Sequence, residues 1–358
     1  RKMTREDFLI FISSFDLSCK KLHNLFEFFD QEDFSFDVVN YKDFVNIVGK
    51  ENSEKIQKNA NMRYLDNYKE KLFDKNIKII TFEDEYYPRK LKNIYDPPYF
   101  LFCQGDLSLL DKAGIAVVGT RMPSNYGRIV TEKFAKELAE SGVVIISGLA
   151  YGVDSISHRK ALECSGKTIA VLGGGMDKIY PSQHTDLARE ITEKGLLVSE
   201  YSPSFPATRF TFPNRNRIVA GLSDGVLITE AGLKSGTMIT KDFALDNGID
   251  IYAIPGNITS DKSEGTNNII MLGQAACTLS PQDILKNLGI EKSSKKKALQ
   301  LSMEEQLILD LLHDGEKDVD FLCEKSGLNV NKLNSLLVSL EIRDIIKKMV
   351  GGVYAICE

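Results

Sequence analysis

The sequence predicts an α/β fold. A doubly wound, mostly parallel sheet is flanked by a small helical domain before it and a winged helix-turn-helix domain after it. Three observations carry this. Apolar runs (IAVVG, VVIISG, TIAVLGG, LLVSE, GVLITEA, IDIYAIPG) alternate with amphipathic stretches from residue 115 onward. Such near-continuous runs are strands buried on both faces, and the stretches between them are crossovers. Residues 1–78 lack Gly-rich loops and carry apolar residues at helical spacing. After residue 300 the pattern is helix, helix, helix, hairpin.

The N-terminal stretch predicts helices over 7–15, 20–29, 40–48 and 53–75. Its frequent Phe suggests a small independent core. The bridge IKIITFEDEYYPRKLKNIYDPPYFLFCQG holds strand-like runs and a Pro97-Pro98 break. The sheet domain spans 79–288, and residues 289–297 form a polar linker with a lysine run. In the last domain, 298–358, Ser302 and Glu305 make a capping box before LILDLL, and Asp318 caps FLCEKSG. IIKKMVGGVYAI reads as two strands around Gly351-Gly352.

The 358 residues are 43% hydrophobic and 27% charged, as in an ordinary globular chain of two or three domains. Net charge is −5, so a polyanion must meet a local patch and not the whole surface. Six scattered cysteines (Cys19, Cys103, Cys164, Cys277, Cys323, Cys357) form no C-x-x-C pair. A metal cluster and a disulfide framework are therefore not expected, and reduced thiols in a cytoplasm fit. There is no run of 18 apolar residues and no signal-peptide pattern, so no membrane contact is expected. The chain starts at Arg1, and its natural start is expected upstream.

In open α/β sheets, ligands bind at the carboxyl ends of strands. GTRMPSNYG (119–127) follows the first core strand and opens a helix. Its backbone N–H groups and Arg121 are suited to an anion. It is not the dinucleotide fingerprint, because G-x-G-x-x-G is absent. SGKT (165–168) is not a P-loop: Ala161 stands where Gly is needed, and the tetrapeptide precedes its strand. Asp154 and His158 lie one helical turn apart and are read as a structural hydrogen bond. GGGMDKIYP ends the third strand, where glycines allow close approach. In EAGLKSGTMIT, Ser235, Gly236 and Thr237 stand at a helix start suited either to a phosphate or to a plain cap.

RFTFPNRNRIVAGL (209–222) gathers guanidinium groups and rings ahead of the fifth strand. Guanidinium forks fit phosphates and aromatic faces stack on bases. At a helix start Arg215 and Arg217 lie about 200° apart, so one faces ligand and the other turns inward, to Glu230 or a neighbour. Asp224 is another candidate partner. Residues 114–285 hold 16 Lys/Arg and 18 Asp/Glu, net −2. Binding must then come from concentrated arginines and helix starts. Residues 298–358 hold 6 Lys/Arg and 11 Asp/Glu, net −5, which points the tail toward protein contacts and away from duplex DNA.

These motifs, with FPNRNRIVAGL, YAIPG and GTNNII, run in order over about residues 79–285. In combination they resemble the DNA processing protein A (DprA/Smf) family. The resemblance implies an extended Rossmann-like core, a small SAM- or helix-hairpin-helix-like N-terminal domain and a winged-helix tail. It implies a single-stranded DNA binder that protects incoming strands and loads the RecA recombinase during natural transformation. It also implies a homodimer through the core, no cofactor and no enzymatic activity. Carried over to these loops, the strand-binding candidates are Gly119, Thr120, Arg121, Ser124, Ser147, Gly148, Gly174, Arg209, Phe210, Phe212, Asn214, Arg215, Asn216, Arg217, Ser235, Gly236 and Thr237. The alternative is a Rossmann-type enzyme or sensor acting on a nucleotide derivative. Nucleoside-monophosphate hydrolases of related fold carry PGGxGTxxE, whereas this chain reads EAGLKSGTMIT.

Overall fold

A computed structural model describes residues 3–29, 35–290, 301–343, 345–349 and 352–356. The chain divides into two compact units, Arg1–Lys292 and Ser293–Glu358.

The first unit begins with α1 (Arg5–Ser13), α2 (Cys19–Phe28), α3 (Lys42–Val48), α4 (Lys50–Asn59) and α5 (Met62–Asp74). Thr4 and Asp7 close a capping box at the start of α1. The single helix expected over 53–75 is two. Asn61 leaves the helical conformation and its side chain accepts the Tyr64 N–H, starting α5 afresh. The expected independent core is also corrected. Phe8, Phe11, Leu25 and Phe44 belong to one cluster with Tyr99, Phe100, Phe102 and Leu172 of the sheet region. Phe26 stacks on Tyr99 with ring centroids 4.8 Å apart.

The bridge forms β1 (Lys78–Thr81), the short α6 (Arg89–Lys92) and β2 (Phe100–Gly105). Then β3 (Gly114–Val118), α7 (Asn125–Glu140), β4 (Val144–Ser147), α8 (Val153–Glu163), β5 (Thr168–Leu172), α9 (Thr185–Lys194) and β6 (Leu196–Ser199) follow. The second half holds α10 (Thr211–Gly221), β7 (Gly225–Ile228), α11 (Thr237–Asp246), β8 (Asp250–Ala253), α12 (Glu264–Met271), β9 (Ala276–Cys277) and α13 (Pro281–Asn287). Among the described residues these strands form one sheet in the order β1-β2-β6-β5-β4-β3-β7-β8-β9. β1 and β2 pair antiparallel, as do β2 and β6; the remaining neighbours are parallel.

Alternate residues of each core strand serve opposite layers. Ile115 and Val117 pack with Phe134 and Leu138 of α7 and Ala161 of α8. Ala116 and Val118 pack with Ile218, Val219 and Ala220 of α10 and Ala244 of α11. Burial on both faces explains why these strands read as unbroken apolar runs. β3 pairs with β4 on one side and β7 on the other. This is the switch point, where the loops leaving adjacent strands diverge and open a crevice.

The second unit holds α14 (Met303–Leu312), β10 (Lys317–Asp318), α15 (Val319–Ser326), α16 (Val330–Ile342), β11 (Ile346–Lys348) and β12 (Val353–Ile356). The Ser302–Glu305 capping box and the Asp318 cap are present. The strands order as β10-β12-β11, so a short third strand completes the winged helix. Within the linker, residues 291–297 lie outside the described residues, as do residues 350 and 351 of the hairpin turn.

Candidate nucleic-acid interface

The switch point opens into a cleft of about 730 Å³. Its rim is built by Gly119 and Arg121 after β3, Tyr180 after β5, and Thr208, Arg209 and Phe212 at the entry to α10. Ser235, Gly236 and Thr237 at the start of α11 close it, and Arg215 and Asp154 reach it from below.

Arg215 is 4% exposed. Its Nη1 donates to the carbonyls of Gly148 and Val171, at the ends of β4 and β5, and its Nε donates to Asn216 Oδ1 at 3.2 Å. A Cβ on Gly148 would lie 2.5 Å from the guanidinium, so a larger residue here displaces the Arg215 side chain. Asp154 accepts from Gly148 N at 3.1 Å and Ala150 N at 3.3 Å. Burial lowers the Arg215 pKa to about 10, against the attraction of Asp154, so the charge persists at neutral pH. Burial raises the Asp154 pKa, opposed by Arg215 and those two N–H groups.

Arg217 points to the other side of α10, as the 200° spacing predicts. Its partner is neither Glu230 nor Asp224. Its Nη2 donates to Glu200 Oε1 at 2.6 Å and its Nε to Asp96 Oδ2 at 3.3 Å. Burial works against its charge, but Glu200 and Asp96 outweigh it and the Arg217 pKa is raised. Asp224 is held by Lys90 and Gly114 N. The pair of arginines is therefore inside the protein, one on each side of the helix.

Glu230 corrects a further expectation. It is 1% exposed, and its carboxylate accepts from Ser124 N at 2.7 Å and Ser124 Oγ at 2.5 Å. Ser124 Oγ in turn accepts from Gly127 N at 3.0 Å. The anion at the start of α7 is thus the chain's own carboxylate, placed where a helix N-terminus favours negative charge. An external anion is left the outer part of the loop. There Arg121 is exposed, with its Cζ 6.0 Å from the Phe212 ring centroid.

The opening aromatics divide. Phe210 is 71% exposed and Arg209 lies over its ring at 4.7 Å. Phe212 is half-buried against Gly173 and lies 5.2 Å from the Tyr180 ring. At α11, Ser235 and Thr237 hydroxyls bond each other at 3.0 Å, while Gly236 is exposed with open space where a Cβ would be.

Of the candidates, the cleft brings together Gly119, Arg121, Arg209, Phe212, Arg215, Asn216, Ser235, Gly236 and Thr237. Thr120 sits beside it, tied by its N–H to Glu230 O, and Gly148 lies beneath Arg215. Ser147 is buried and donates to Val117 O; Gly174 packs on Ala207; Asn214 and Arg217 line a different cavity. Tyr180, Thr208 and Asp154 were not among the candidates. The Gly-rich loop holding Tyr180 was a signal for it. Asp154 was read as pairing with His158, but His158 Nδ1 bonds Thr168 Oγ1 at 2.6 Å instead. Among the described residues, no group of three or more His, Cys, Asp or Glu is placed to hold a metal, and no helix is long and apolar enough to cross a membrane.

Residues 78–289 match the family model described as DNA recombination-mediator protein A, and residues 292–352 match the DprA winged helix domain. Protein Smf of Escherichia coli is 37% identical over 290 residues, 77% of each chain. DNA processing protein DprA of Streptococcus pneumoniae is 44% identical over 202 residues, 56% of this chain and 71% of that one. The crystal structure of DprA from Streptococcus pneumoniae superposes with TM-score 0.68 at 36% identity, covering 80% of this chain and 98% of that one. DNA processing protein A of Helicobacter pylori, studied for its unique single-stranded DNA binding mode, superposes with TM-score 0.54 at 36% identity, covering 59% and 95%. With the core and the winged helix each matched by its family model and 37% identity over 77% of Protein Smf, the chain belongs to the DNA recombination-mediator protein A (DprA/Smf) family of DNA processing proteins.

Proposed function

We propose that this chain binds single-stranded DNA in the switch-point cleft. In this reading it acts as a recombination mediator, protecting incoming strands and loading RecA during natural transformation. One observation carries the binding: guanidinium groups and aromatic rings alternate around the mouth, Arg121 beside Phe212 and Arg209 over Phe210. Phosphates pair with guanidinium forks and helix N–H groups, and unpaired bases stack on rings. A duplex has no free base faces to offer such rings. The single-strand binding mode reported for the Helicobacter pylori relative supports the same reading.

Arg121, Arg209, Phe210, Phe212, Asn216, Gly119, Thr120 and Ser235–Gly236–Thr237 would meet the strand. Arg215 and Gly148 would shape the floor. The role is binding and not turnover. In dinucleotide-binding folds a cofactor's pyrophosphate sits at the first helix start, and here Glu230 fills that position. RecA delivery, a homodimer through the core, a protein-binding winged-helix tail and a cytoplasmic location complete the reading and rest on the family resemblance.

The test is an anisotropy titration with a labelled thymidine oligomer and a blunt duplex at two salt concentrations. Tighter, salt-dependent binding of the oligomer, weakened in Arg121→Ala and Phe210→Ala, is expected. Equal affinity for duplex, or wild-type affinity in both variants, overturns the assignment.

A further inference from the structure

The side of α10 away from the cleft faces a second cavity of about 350 Å³, bounded by the α1–α2 turn and the chain around Asp96 and Phe100. That size lies in the range, about 300–1,000 Å³, that takes small organic ligands. Exposed Ser18, Lys20 and Asn214 mark its opening. Arg217 and Glu200 form its inner wall. Their ion pair uses Nη2 and Oε1, yet Arg217 Nη1 and Glu200 Oε2 are both buried without a hydrogen-bond partner among the described residues. Arg217 is 3% exposed. Buried polar atoms are nearly always paired, so this ion pair at the inner wall carries one spare donor and one spare acceptor.

The charges around the cavity select that ligand. Asp16, Asp96 and Glu200 face Arg217 and Lys20, an excess of one carboxylate, which disfavours a phosphate or any other anion. Asp16 is itself spent on Ser202 N and Oγ, at 2.7 and 2.6 Å. A bare ammonium lacks the acceptor that Arg217 Nη1 needs. A neutral group carrying C=O beside N–H meets both atoms. The Phe100 and Tyr201 rings and the Ile12, Leu17 and Leu22 side chains give it apolar walls.

We propose that this cavity binds the lactam edge of a nucleobase, guanine or thymine, with its carbonyl on Arg217 and its N–H on Glu200. The base comes from a free nucleoside or from a strand whose backbone lies elsewhere. The site stands apart from the cleft, because α10 separates them: Phe212, Pro213, Arg215 and Asn216 line the cleft, whereas Asn214 and Arg217 line this cavity.

Calorimetric titration of the full chain with thymidine and with N3-methylthymidine tests this. Thymidine binding is expected, with the N-methylated form at least tenfold weaker because it cannot donate to Glu200. Ser18→Trp should close the opening and weaken thymidine at least tenfold. Ser18 is exposed and caps α2 with no side-chain hydrogen bond, so the fold tolerates the change. No heat with thymidine, equal binding of the methylated form, or undiminished binding in Ser18→Trp overturns the proposal; so does binding of simple amides in place of nucleosides. An oligomer carrying one 4-thiothymidine separates the two sources. A crosslink to the peptide holding Ser18 supports a strand's base, and thymidine binding without that crosslink supports a free nucleoside. No thymidine binding by the wild-type chain, with its oligomer binding intact, would sink this site and leave the cleft's role standing.

Discussion

Glu230 anchors the start of α7, and replacing it should cost stability in a graded way. Its carboxylate accepts two hydrogen bonds from Ser124, one from N–H and one from the hydroxyl, while 1% exposed. Hydrogen bonds to charged groups contribute about 1.5–3 kcal/mol each, and charge at a helix start about 0.3–2 kcal/mol. Glu230→Gln keeps the shape and one acceptor, and loses mainly the charge, so about 1–2 kcal/mol is expected. Glu230→Ala leaves the Ser124 N–H without its acceptor and opens space beside Gly127, so about 3–5 kcal/mol is expected. Urea unfolding reads this: with a slope of about 3 kcal/mol per M, the alanine midpoint falls by roughly 1 M or more. The alanine variant also uncovers a helix start for an external anion. Sulfate at ten times its Kd would return about 1.4 kcal/mol. Its effect on Glu230→Ala should therefore exceed its effect on wild type, where sulfate acts only as an excluded salt. If glutamine costs as much as alanine, or sulfate lifts both proteins equally, Glu230 is a packing residue and its role as resident anion is refuted.

Five other outcomes can be measured. Arg121→Ala should weaken oligomer affinity with an unchanged circular dichroism spectrum and lower the salt slope by about 0.7; Arg217→Met should instead cost about 3–5 kcal/mol of stability by stranding Glu200, with the slope intact. Phe210→Ala should lose about 1–3 kcal/mol of stacking in anisotropy titrations while the salt slope stays put, since a ring neutralises no phosphate. His158, fully buried near His184 and Arg215, has its pKa pulled from 6.5 to about 3, burial being the largest cause. The unfolded chain then takes the proton first, so stability falls as pH drops from about 6.5 toward 3, by up to about 1.4 kcal/mol per pH unit. Thermal midpoints of His158→Met should fall less steeply between pH 6.5 and 5 than those of wild type. Deleting residues 298–358 should leave most oligomer affinity, and a large loss would move the strand site into the winged helix.

What the sequence revealed and what it hid separate along one physical line. Each core strand was legible because both of its faces are buried, and that demand is local: Ile115 to Val118 need only be apolar. The start of α15 was legible because Asp318, directly before the helix, caps it by accepting from the Phe321 N–H three residues on. The break at Asn61 was less so, because apolar spacing continues across it and only one side chain ends the turn. The N-terminal phenylalanines looked self-sufficient, since nothing in their own stretch names Tyr99 or Phe102 as neighbours.

The candidate site divides in the same way. Residue type announced the chemistry of Arg215 and Arg217, and their spacing announced opposite directions. Their partners lie far along the chain. Gly148 O is 67 residues from Arg215, Asp96 is 121 residues from Arg217, and Glu230 is 106 residues from Ser124. A guanidinium in a loop looks the same in sequence whether it meets a ligand or a carbonyl in the floor beneath. What decides is whether the fold brings acceptors to it. Arg215 and Arg217 find theirs inside, which leaves Arg121 and Arg209, with no hydrogen-bonded acceptor for their guanidinium groups among the described residues, as the cleft's exposed cations. The same test applied to anions finds Glu230 satisfied and Glu200 with one oxygen to spare, and so places the spare hydrogen-bonding capacity on both sides of α10.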